Sequence, residues 1–247
     1  MVFKKFYSKF YDLIYLKKNY KKEILFILSL LKKKKIKFKK ILELGSGTGS
    51  HGIYLKNLGY EIVGVEKSPQ MIEISKEKKI GFKIYNSDLK KFRINKKFDL
   101  VISLFHVINY MTKETALNKF FDTAGYHLKK NGYLIFDTWY TPGVNSMKPS
   151  KITKIFNNKE FKVIKRVFPK KINKTNFDIN YKFEIFNKSS KLLFNFFENH
   201  KIRHYGINDL VFAAKKKNFE FLSSHKQLSE SKPSKKDWGA LLIFKKI

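Results

Sequence analysis

Three alternating glycines follow a short apolar run in the first quarter of the chain. Gly45, Gly47 and Gly49 come directly after Ile41–Leu44, and a helical pattern begins beyond them. The apolar run is typical of a buried strand, and the glycines predict a tight turn before a helix. Glycine suits such a turn because it adopts positive φ and because bare backbone lets a ligand approach closely. We therefore predict a strand, a ligand-binding turn and a helix start.

An acidic residue ends the next apolar run. Glu66 closes Glu61–Glu66, about 20 residues beyond the glycine turn, where a carboxylate accepts hydrogen bonds from ribose hydroxyls in nucleotide-binding folds. A glycine turn followed by an acid at the end of the next strand predicts a nucleoside-binding βαβ unit.

Two registers of the glycine motif are possible. Gly47, Gly49 and Gly52 fit the G-x-G-x-x-G of dinucleotide-binding enzymes. The apolar run ends at Leu44, however, which starts the turn at Gly45 and leaves Glu43 two residues before it. This E-x-G-x-G-x-G form resembles motif I of class I S-adenosylmethionine (SAM)-dependent methyltransferases, in which the acid faces the methionine end of the cofactor. A nicotinamide-dependent reductase and a cofactor-binding protein without catalysis remain alternatives.

The composition bounds the class of protein. A chain of 247 residues with 43% hydrophobic residues can form a sizeable core. The absence of cysteine excludes disulfides, thiolate metal sites and cysteine nucleophiles, and we expect no metal site. The sequence has neither an apolar run of about 18 residues nor the pattern of a signal peptide. We expect a cytoplasmic protein.

The charge raises the question of nucleic acid. The net charge is +33, yet only Arg93, Arg166 and Arg203 are arginines, and the lysines are spread over every segment. Recognition of bases and phosphates favours the bidentate guanidinium of arginine, so a composition rich in lysine is weak evidence for it. Nucleic acid stays an alternative partner. A small anionic substrate would also benefit from the positive field.

Periodicity places the remaining elements. Helical patterns cover Tyr7–Leu16, Tyr20–Leu31, Gln70–Lys78, Lys113–Leu128 and Asn208–Asn218. Further strands are predicted at Phe82–Tyr85, Phe98–Leu104, Tyr133–Asp137, Phe219–Ser223 and Trp238–Phe244, with a loop at Trp139–Pro149. Polar and apolar residues alternate in Phe161–Val167, Asp178–Phe186 and Leu192–Tyr205, which is typical of antiparallel strands exposed on one face. The prediction is an α/β fold, a doubly wound core with an inserted antiparallel β-sheet.

The glycine turn Gly45–Gly49, Glu66, Asp88 and the segment Leu104–Tyr110 all lie at carboxyl ends of predicted parallel strands, which meet at one edge of a sheet. Asp88 and the Leu89 amide suit the amino group and ring edge of an adenine, and Met71 can lie on its face. The predicted cofactor-binding residues are Glu43, Gly45, Ser46, Gly47, Gly49, Glu66, Met71, Asp88, Leu89 and Leu104.

The order of these motifs resembles class I methyltransferases over nearly the whole chain, which implies SAM as cofactor and a Rossmann-like seven-stranded sheet. Within that superfamily, Tyr11-Asp12-x-x-Tyr15, Phe98-Asp99-x-Val101, Asp137-Thr138-Trp139-Tyr140 and His200-x-x-Arg203-x-Tyr205 resemble the N,N-dimethyltransferases of nucleotide-linked amino sugars. The resemblance implies a substrate site made by Tyr11, Tyr15, Trp139, His200 and Arg203. It departs from that group at Tyr110, where amino-sugar members carry histidine.

The resemblance also divides the chain. We expect one methyltransferase domain over residues 1–247, made of an N-terminal helical lid (1–38), a SAM-binding core (39–150), an antiparallel insertion (151–205) that covers the active site, and a segment that completes the core sheet (206–247). The protein is expected to be a monomer or a homodimer.

The expected reaction is transfer of a methyl group from SAM to a small, anionic metabolite such as a nucleotide-linked sugar. Nitrogen is the expected acceptor atom, and oxygen is the alternative. Positioning and exclusion of water supply most of the acceleration in such a displacement. His106 and Tyr110 are the candidate catalytic residues by position. An RNA methyltransferase of the same fold is the alternative, and two features of the sequence speak against it. Leu104-Phe105-His106-Val107 stands where adenine N-methylation typically needs Asn/Asp-Pro-Pro-Tyr/Phe. Pyrimidine C5 methylation needs a cysteine, and the chain has none.

Overall fold

Two β-sheets form the frame of the molecule. The computed structural model describes Phe3 and residues 5–247, so residues 1, 2 and 4 of the expected lid lie outside the described part. The larger sheet has seven strands in the order β10-β11-β5-β4-β1-β2-β3, and the smaller has four in the order β6-β7-β8-β9.

The seven-stranded sheet is parallel in its centre. Its strands are β1 (Lys40–Leu44), β2 (Glu61–Glu66), β3 (Lys83–Asn86), β4 (Phe98–Ser103), β5 (Leu128–Trp139), β10 (Phe219–Lys226) and β11 (Gly239–Lys246). Strands β1 to β5 pair in parallel, while β11 runs antiparallel to both β5 and β10. The parallel strands are continuous apolar runs because helices cover both of their faces. This is the predicted doubly wound core.

Helices pack on the two faces of this sheet. They are α1 (Lys5–Ile14), α2 (Tyr20–Lys33), α3 (Gly52–Asn57), α4 (Pro69–Glu77), α5 (Glu114–His127), α6 (Thr141–Ser146) and α7 (Ile207–Lys215). One core contains α5 and α7 side chains such as Phe120 and Leu210, and the other contains α2 side chains such as Leu31. In the described part of the chain, no helix is long and apolar enough to cross a membrane.

The four-stranded sheet is antiparallel and lies between β5 and α7 in the chain. Its strands are β6 (Ile152–Asn157), β7 (Lys162–Lys171), β8 (Asn176–Phe186) and β9 (Leu192–Arg203). One face buries Val163, Phe183 and Ile185 against the Tyr7 and Phe10 side of α1. The inserted antiparallel sheet that the alternating pattern predicts is therefore confirmed, and α1 packs on it.

Backbone and side-chain bonds hold the two sheets together. Tyr140 and Tyr205 form an isolated parallel bridge, and the Tyr205 amide donates to the Trp139 carbonyl at 2.9 Å. The buried Asn109 side chain donates to the Arg203 carbonyl at 2.5 Å and accepts from the Trp139 amide at 3.1 Å. The small sheet thus continues the core rather than hanging from a flexible linker.

Two local sequence predictions were wrong. The predicted loop at Trp139–Pro149 contains α6, which begins with a proline in its first turn, where the missing N–H has no partner to lose. Strand β6 was not predicted, because its residues are mostly exposed and its polar and apolar residues do not alternate.

A glycine in α6 gives a stability prediction. A Cβ on Gly143 would lie 1.9 Å from the carbonyl oxygen of Asp237, whereas a Cβ on Gly125 in α5 would meet its nearest atom at 3.6 Å. We expect Gly143→Ala to lower the free energy of unfolding by about 2 kcal/mol or more, because backbone must shift. Gly125→Ala, the control, should be neutral or stabilising by up to about 1 kcal/mol. Urea unfolding measures both, and equal effects would contradict the contact between α6 and the chain before β11.

Candidate functional site

A cavity of about 250 Å³ lies at the carboxyl edge of the parallel strands. It is bounded by the turn after β1, the ends of β2 and β3, and the segment after β4. Of the predicted cofactor residues, it is lined by Gly45, Ser46, Gly47, Glu66, Met71, Asp88, Leu89 and Leu104. The strand order therefore brings together residues from four separate segments of the chain.

The glycine turn forms one wall of the cavity. Gly45, Gly47 and Gly49 all have positive φ, at 76°, 55° and 78°. A Cβ on Gly45 would lie 2.7 Å from the Val107 methyls, and one on Gly49 would lie 2.8 Å from Ile80. A Cβ on Gly47 would meet no protein atom within 4 Å. The first and third glycines are thus required for packing, while the second faces open space in the cavity.

Glu66 joins the turn after β1 to the turn after β2. Its Oε2 accepts from the Gly47 amide at 2.9 Å, and its Oε1 accepts from the Lys67 and Ser68 amides at 2.8 Å each. Burial raises the pKa of this carboxyl group, although the hydrogen bonds from the three backbone amides oppose the rise. A carboxylate offers about four lone pairs. The three hydrogen bonds from backbone amides therefore leave Oε2 able to accept one more hydrogen bond on the cavity side.

Asp88 and Met71 lie at the far side of the cavity. Asp88 Oδ1 accepts from the Lys90 amide at 3.0 Å, and its Oδ2 accepts from Lys67 Nζ at 3.0 Å. Partial burial disfavours the charged form, but the bonds from Lys90 and Lys67 outweigh it and hold the pKa of Asp88 below its ordinary value. Met71 is buried at the start of α4, where its amide is capped by the Ser68 hydroxyl. This side offers an ionised acceptor beside an apolar surface.

Glu43 lies behind the cavity wall rather than in it. Its side chain is 2% exposed, and Oε1 is 3.8 Å from Nδ1 of His51. Burial, followed by the nearby charge of Glu66, raises the pKa of Glu43 to about 8. The other ring nitrogen of His51, Nε2, forms a hydrogen bond of 2.7 Å with Oε2 of Glu23 in α2. Burial alone would raise the pKa of Glu23, but His51 and Lys18 lower it to about 2. A neutral acid and an ionised acid therefore flank one imidazole.

Helix α1 packs against the glycine turn and closes one side of the cavity. Asp12 accepts from the Thr48 hydroxyl at 2.8 Å and pairs with Lys78 Nζ at 3.0 Å. Lys78 also donates to Thr48 and Ser50, at 3.1 and 3.0 Å. These contacts tie α1 to the glycine turn, and they bring Tyr11 to the cavity wall.

Tyr110 lies at the inner end of the cavity, next to the small sheet. It belongs to a 3₁₀ turn, Val107–Tyr110, that follows β4. Its hydroxyl bonds Nδ1 of His200 in β9 at 2.7 Å. Phe3 packs on both rings, with centroids 6.0 Å from Tyr110 and 5.0 Å from His200. The candidate catalytic tyrosine and a candidate substrate residue are thus in direct contact.

The structure does not bring His106 to this cavity. Phe105 and His106 both have positive φ, 64° and 63°, and the chain reverses there. The imidazole instead lies beside Asp137, with 3.3 Å between Nδ1 and Oδ2, and lines a separate cavity of about 30 Å³. A position two residues after the predicted strand did not reveal this reversal, because two successive non-glycine residues with positive φ are uncommon.

Besides His200, three candidate substrate residues lie outside the lining. Tyr15 bonds the Tyr7 hydroxyl at 3.1 Å and packs edge-on against Phe105. Trp139 packs against Trp238 with centroids 5.4 Å apart. Arg203 lies over the Tyr205 ring at 4.9 Å. These three side chains pack around the inner end of the cavity and do not line it.

Several lining residues were not predicted from the sequence: Phe3, Tyr20, Thr48, Ser50, His51, Val65, Lys67, Ser68, Ser87, Lys90, Phe105, Val107 and Met111. Most are immediate neighbours of predicted residues, so the motifs themselves were the available signal. Phe3 and Tyr20 carry no such signal, because tertiary folding alone brings the N-terminal segment over the sheet edge. The described residues contain no group of three or more acidic or histidine side chains placed to hold a metal ion.

The residues present fit the parts of SAM. Gly47 leaves space for a ligand against bare backbone, and Glu66 keeps one acceptor position for a ribose hydroxyl. The ionised Asp88 accepts from an amino group, and the buried Met71 and Leu104 supply apolar contact. Gly52 of the alternative register also has no room for a Cβ, which would strike Phe82 and Glu43, so the packing of this glycine does not separate the two registers.

Comparison with known proteins shows what the chain is similar to. Residues 41–132 match the family model of the methyltransferase domain. The architecture is the Rossmann-like fold of SAM-dependent methyltransferases. A solved SAM-dependent methyltransferase from Clostridium acetobutylicum superposes with a TM-score of 0.82 at 22% identity, covering 98% of each chain.

Particular relatives narrow the comparison. The chain is similar to dTDP-3-amino-3,4,6-trideoxy-α-D-glucopyranose N,N-dimethyltransferase of Streptomyces venezuelae, 25% identical over 134 residues, which are 53% of this chain and 56% of the relative. The chain thus matches about half the length of that relative. The solved sugar N-methyltransferase KedS8 of Streptoalloteichus sp. has a TM-score of 0.81 at 18% identity, covering 96% of this chain and 92% of its own. These likenesses confirm the fold.

The raised pKa of Glu43 predicts a pH dependence. The unfolded chain releases this proton near pH 4.5, and the folded protein holds it to about pH 8. Between these values the folded state binds more protons, so the site's contribution to stability falls as pH rises. We expect the free energy of unfolding of the wild type, relative to Glu43→Gln, to fall from pH 5 to 8 by at most about 1.4 kcal/mol per unit. Urea unfolding at several pH values measures the difference. Parallel curves for the two proteins would show that Glu43 is ionised in the fold.

Proposed function

We propose that this protein is a SAM-dependent methyltransferase that acts on nitrogen of a small, anionic metabolite such as a nucleotide-linked amino sugar. The observation that carries the proposal is the convergence of the glycine turn, Glu66 and Asp88 around one cavity that ends at Tyr110. The cofactor supplies a methyl group on a sulfonium sulfur. The protein's part is to bind and orient the two reactants and to exclude water.

Each end of the cavity has a separate proposed role. Glu66 and the Gly47 backbone hold the nucleoside, and Asp88 with the Leu89 amide holds the adenine edge. Glu43 acts from behind the turn at the methionine end. The opposite wall, made by Tyr11 and Tyr110 with His200 behind Tyr110, faces the methyl acceptor. Aromatic rings there keep water away from the reacting atoms.

The N-terminal helix and the small sheet are proposed to form the acceptor side. Helix α1 is fixed both to the glycine turn through Asp12 and to the small sheet through Tyr7 and Phe10. Lys67 and Lys90 line the cavity, and the net charge of +33 favours an anionic ligand. The amino-sugar N-methyltransferases among the relatives support nitrogen as the acceptor atom.

Binding and turnover test this function separately. Thermal unfolding with SAM, S-adenosylhomocysteine or NAD should show stabilisation by the first two alone, because a ligand that binds the folded state raises its stability. Release of S-adenosylhomocysteine is then measured with dTDP-linked amino sugars and with the same sugars carrying hydroxyl in place of amine. Stabilisation by NAD alone would support the reductase alternative. Turnover with RNA but with no sugar nucleotide would support an RNA methyltransferase.

The ribose contact gives a prediction for Glu66→Ala. Loss of a charge-assisted hydrogen bond should weaken binding of SAM and S-adenosylhomocysteine by about 1–3 kcal/mol. Glu61→Ala is the matched control, because Glu61 begins the same strand at its opposite, exposed end. Isothermal titration calorimetry measures both, with circular dichroism to confirm folding. Equal affinities in the two variants would remove Glu66 from the binding site.

The open space at Gly47 gives a second prediction. Gly47 and Gly59 both have positive φ, and a Cβ on either meets no protein atom within 4 Å. Leucine at either position therefore introduces similar backbone strain, but only Gly47 lines the cavity. We expect Gly47→Leu to lower SAM affinity at least about tenfold, which is about 1.4 kcal/mol, and Gly59→Leu to leave it unchanged. SAM binding by Gly47→Leu at wild-type strength would place the cofactor elsewhere.

A further inference from the structure

The hydrogen bond between Tyr110 and His200 links the cavity to the small sheet. Tyr110 lines the inner end of the cavity, and His200 lies behind it, 2% exposed, among the rings of Phe3, Tyr7 and Tyr181. The bond of 2.7 Å joins the Tyr110 hydroxyl to Nδ1. Either atom could donate, so the direction of this bond decides what Tyr110 presents to a ligand.

The surroundings of His200 favour one tautomer. Its Nε2 lies 4.0 Å from Oε2 of Glu198, with both side chains almost fully buried. Within the described residues, Nε2 has no hydrogen-bond partner. A carboxylate at this distance favours a proton on Nε2, which leaves the lone pair on Nδ1. Burial, followed by the charge of Lys165, lowers the pKa of His200 to about 3, so the ring is neutral near pH 7.

The hydroxyl proton of Tyr110 can then point in only one direction. Burial, followed by the nearby Tyr181 and Tyr15, raises its pKa well above 10, so the hydroxyl keeps its proton near pH 7. That proton is donated to Nδ1 of His200. A hydroxyl has one donor and two acceptor lone pairs, so the oxygen can only accept from the cavity side.

We propose that Glu198, His200 and Tyr110 form a chain of fixed direction, made of a through-space contact of 4.0 Å followed by one hydrogen bond, which presents an acceptor oxygen to the substrate and so selects an amine that carries N–H. Tyr110 touches the substrate, and His200 and Glu198 are positioning residues. This inference rests on the proposed function and refines its substrate class.

The same chain distinguishes nitrogen from oxygen as the methyl acceptor. A neutral amine uses its own lone pair to form the new N–C bond as the methyl–sulfur bond of the cofactor breaks, while its N–H donates to Tyr110. The ammonium product then loses its proton to water. A hydroxyl would need to lose its proton to a base, and neither Tyr110 nor His200 takes one at neutral pH, given the directions of their pKa shifts. A tertiary amine has no N–H to donate. Primary and secondary amines are therefore substrates, and methylation stops at the tertiary amine.

The first test needs neither cofactor nor substrate. ¹⁵N NMR of the imidazoles in the full chain reports the tautomer of His200, which is assigned by the signal missing in His200→Gln. We expect the Nε2–H tautomer without protonation from pH 8 to pH 5, and a change of the Nδ1 shift in Tyr110→Phe. An Nδ1–H tautomer, or an imidazolium at pH 6, would overturn the proposal even in a protein that binds SAM and transfers methyl groups.

The second test uses the amino-sugar nucleotide that is turned over in the acceptor screen. Tyr110→Phe and His200→Leu should each lower kcat/KM at least tenfold with SAM affinity within twofold, and the double variant should lose no more than either. His200→Gln should recover most of the activity, because its amide oxygen accepts from Tyr110. Additive losses, no recovery by glutamine, or conversion of the N,N-dimethyl product to a quaternary ammonium would contradict the chain. Loss of SAM binding in the wild type would instead contradict the proposed function.

Discussion

The carboxylate of Glu66 holds the site together because it bonds backbone from two turns at once. Its contacts with the Gly47, Lys67 and Ser68 amides fix the turn after β1 against the turn after β2. Buried backbone N–H groups need partners, and this one carboxylate supplies them in both turns. The remaining lone pair faces the cavity. A single side chain thus shapes the pocket and takes part in the proposed recognition of the ribose.

The acceptor side depends on a second set of polar contacts. Asp12 fixes α1 to the glycine turn, and Asn109 fixes the segment after β4 to the end of β9. These bonds determine how Tyr110, in the 3₁₀ turn after β4, meets His200, in β9 of the small sheet. The small sheet is therefore part of the site in the proposed function, since its buried polar groups set the direction of hydrogen bonding at the inner end of the cavity.

The sequence predicts the cofactor side much better than the acceptor side. Ile41–Leu44 and the glycines form a local motif whose strand, turn and helix follow from short-range rules, and the parallel order of strands then places Glu66 and Asp88 on one edge. The direction of His106 was not predictable, because it depends on two successive residues of positive φ. The Tyr110–His200 bond joins residues 90 positions apart in the sequence. Only the packed fold reveals such a pair.

The most direct test of the account is a crystal structure of the protein with S-adenosylhomocysteine. We predict that the ribose contacts Glu66, that the adenine lies between Met71 and the Asp88–Leu89 backbone, and that the sulfur faces the Tyr110 end of the cavity. Density for the ligand in the smaller cavity beside His106, or across the glycine turn in the opposite direction, would contradict it.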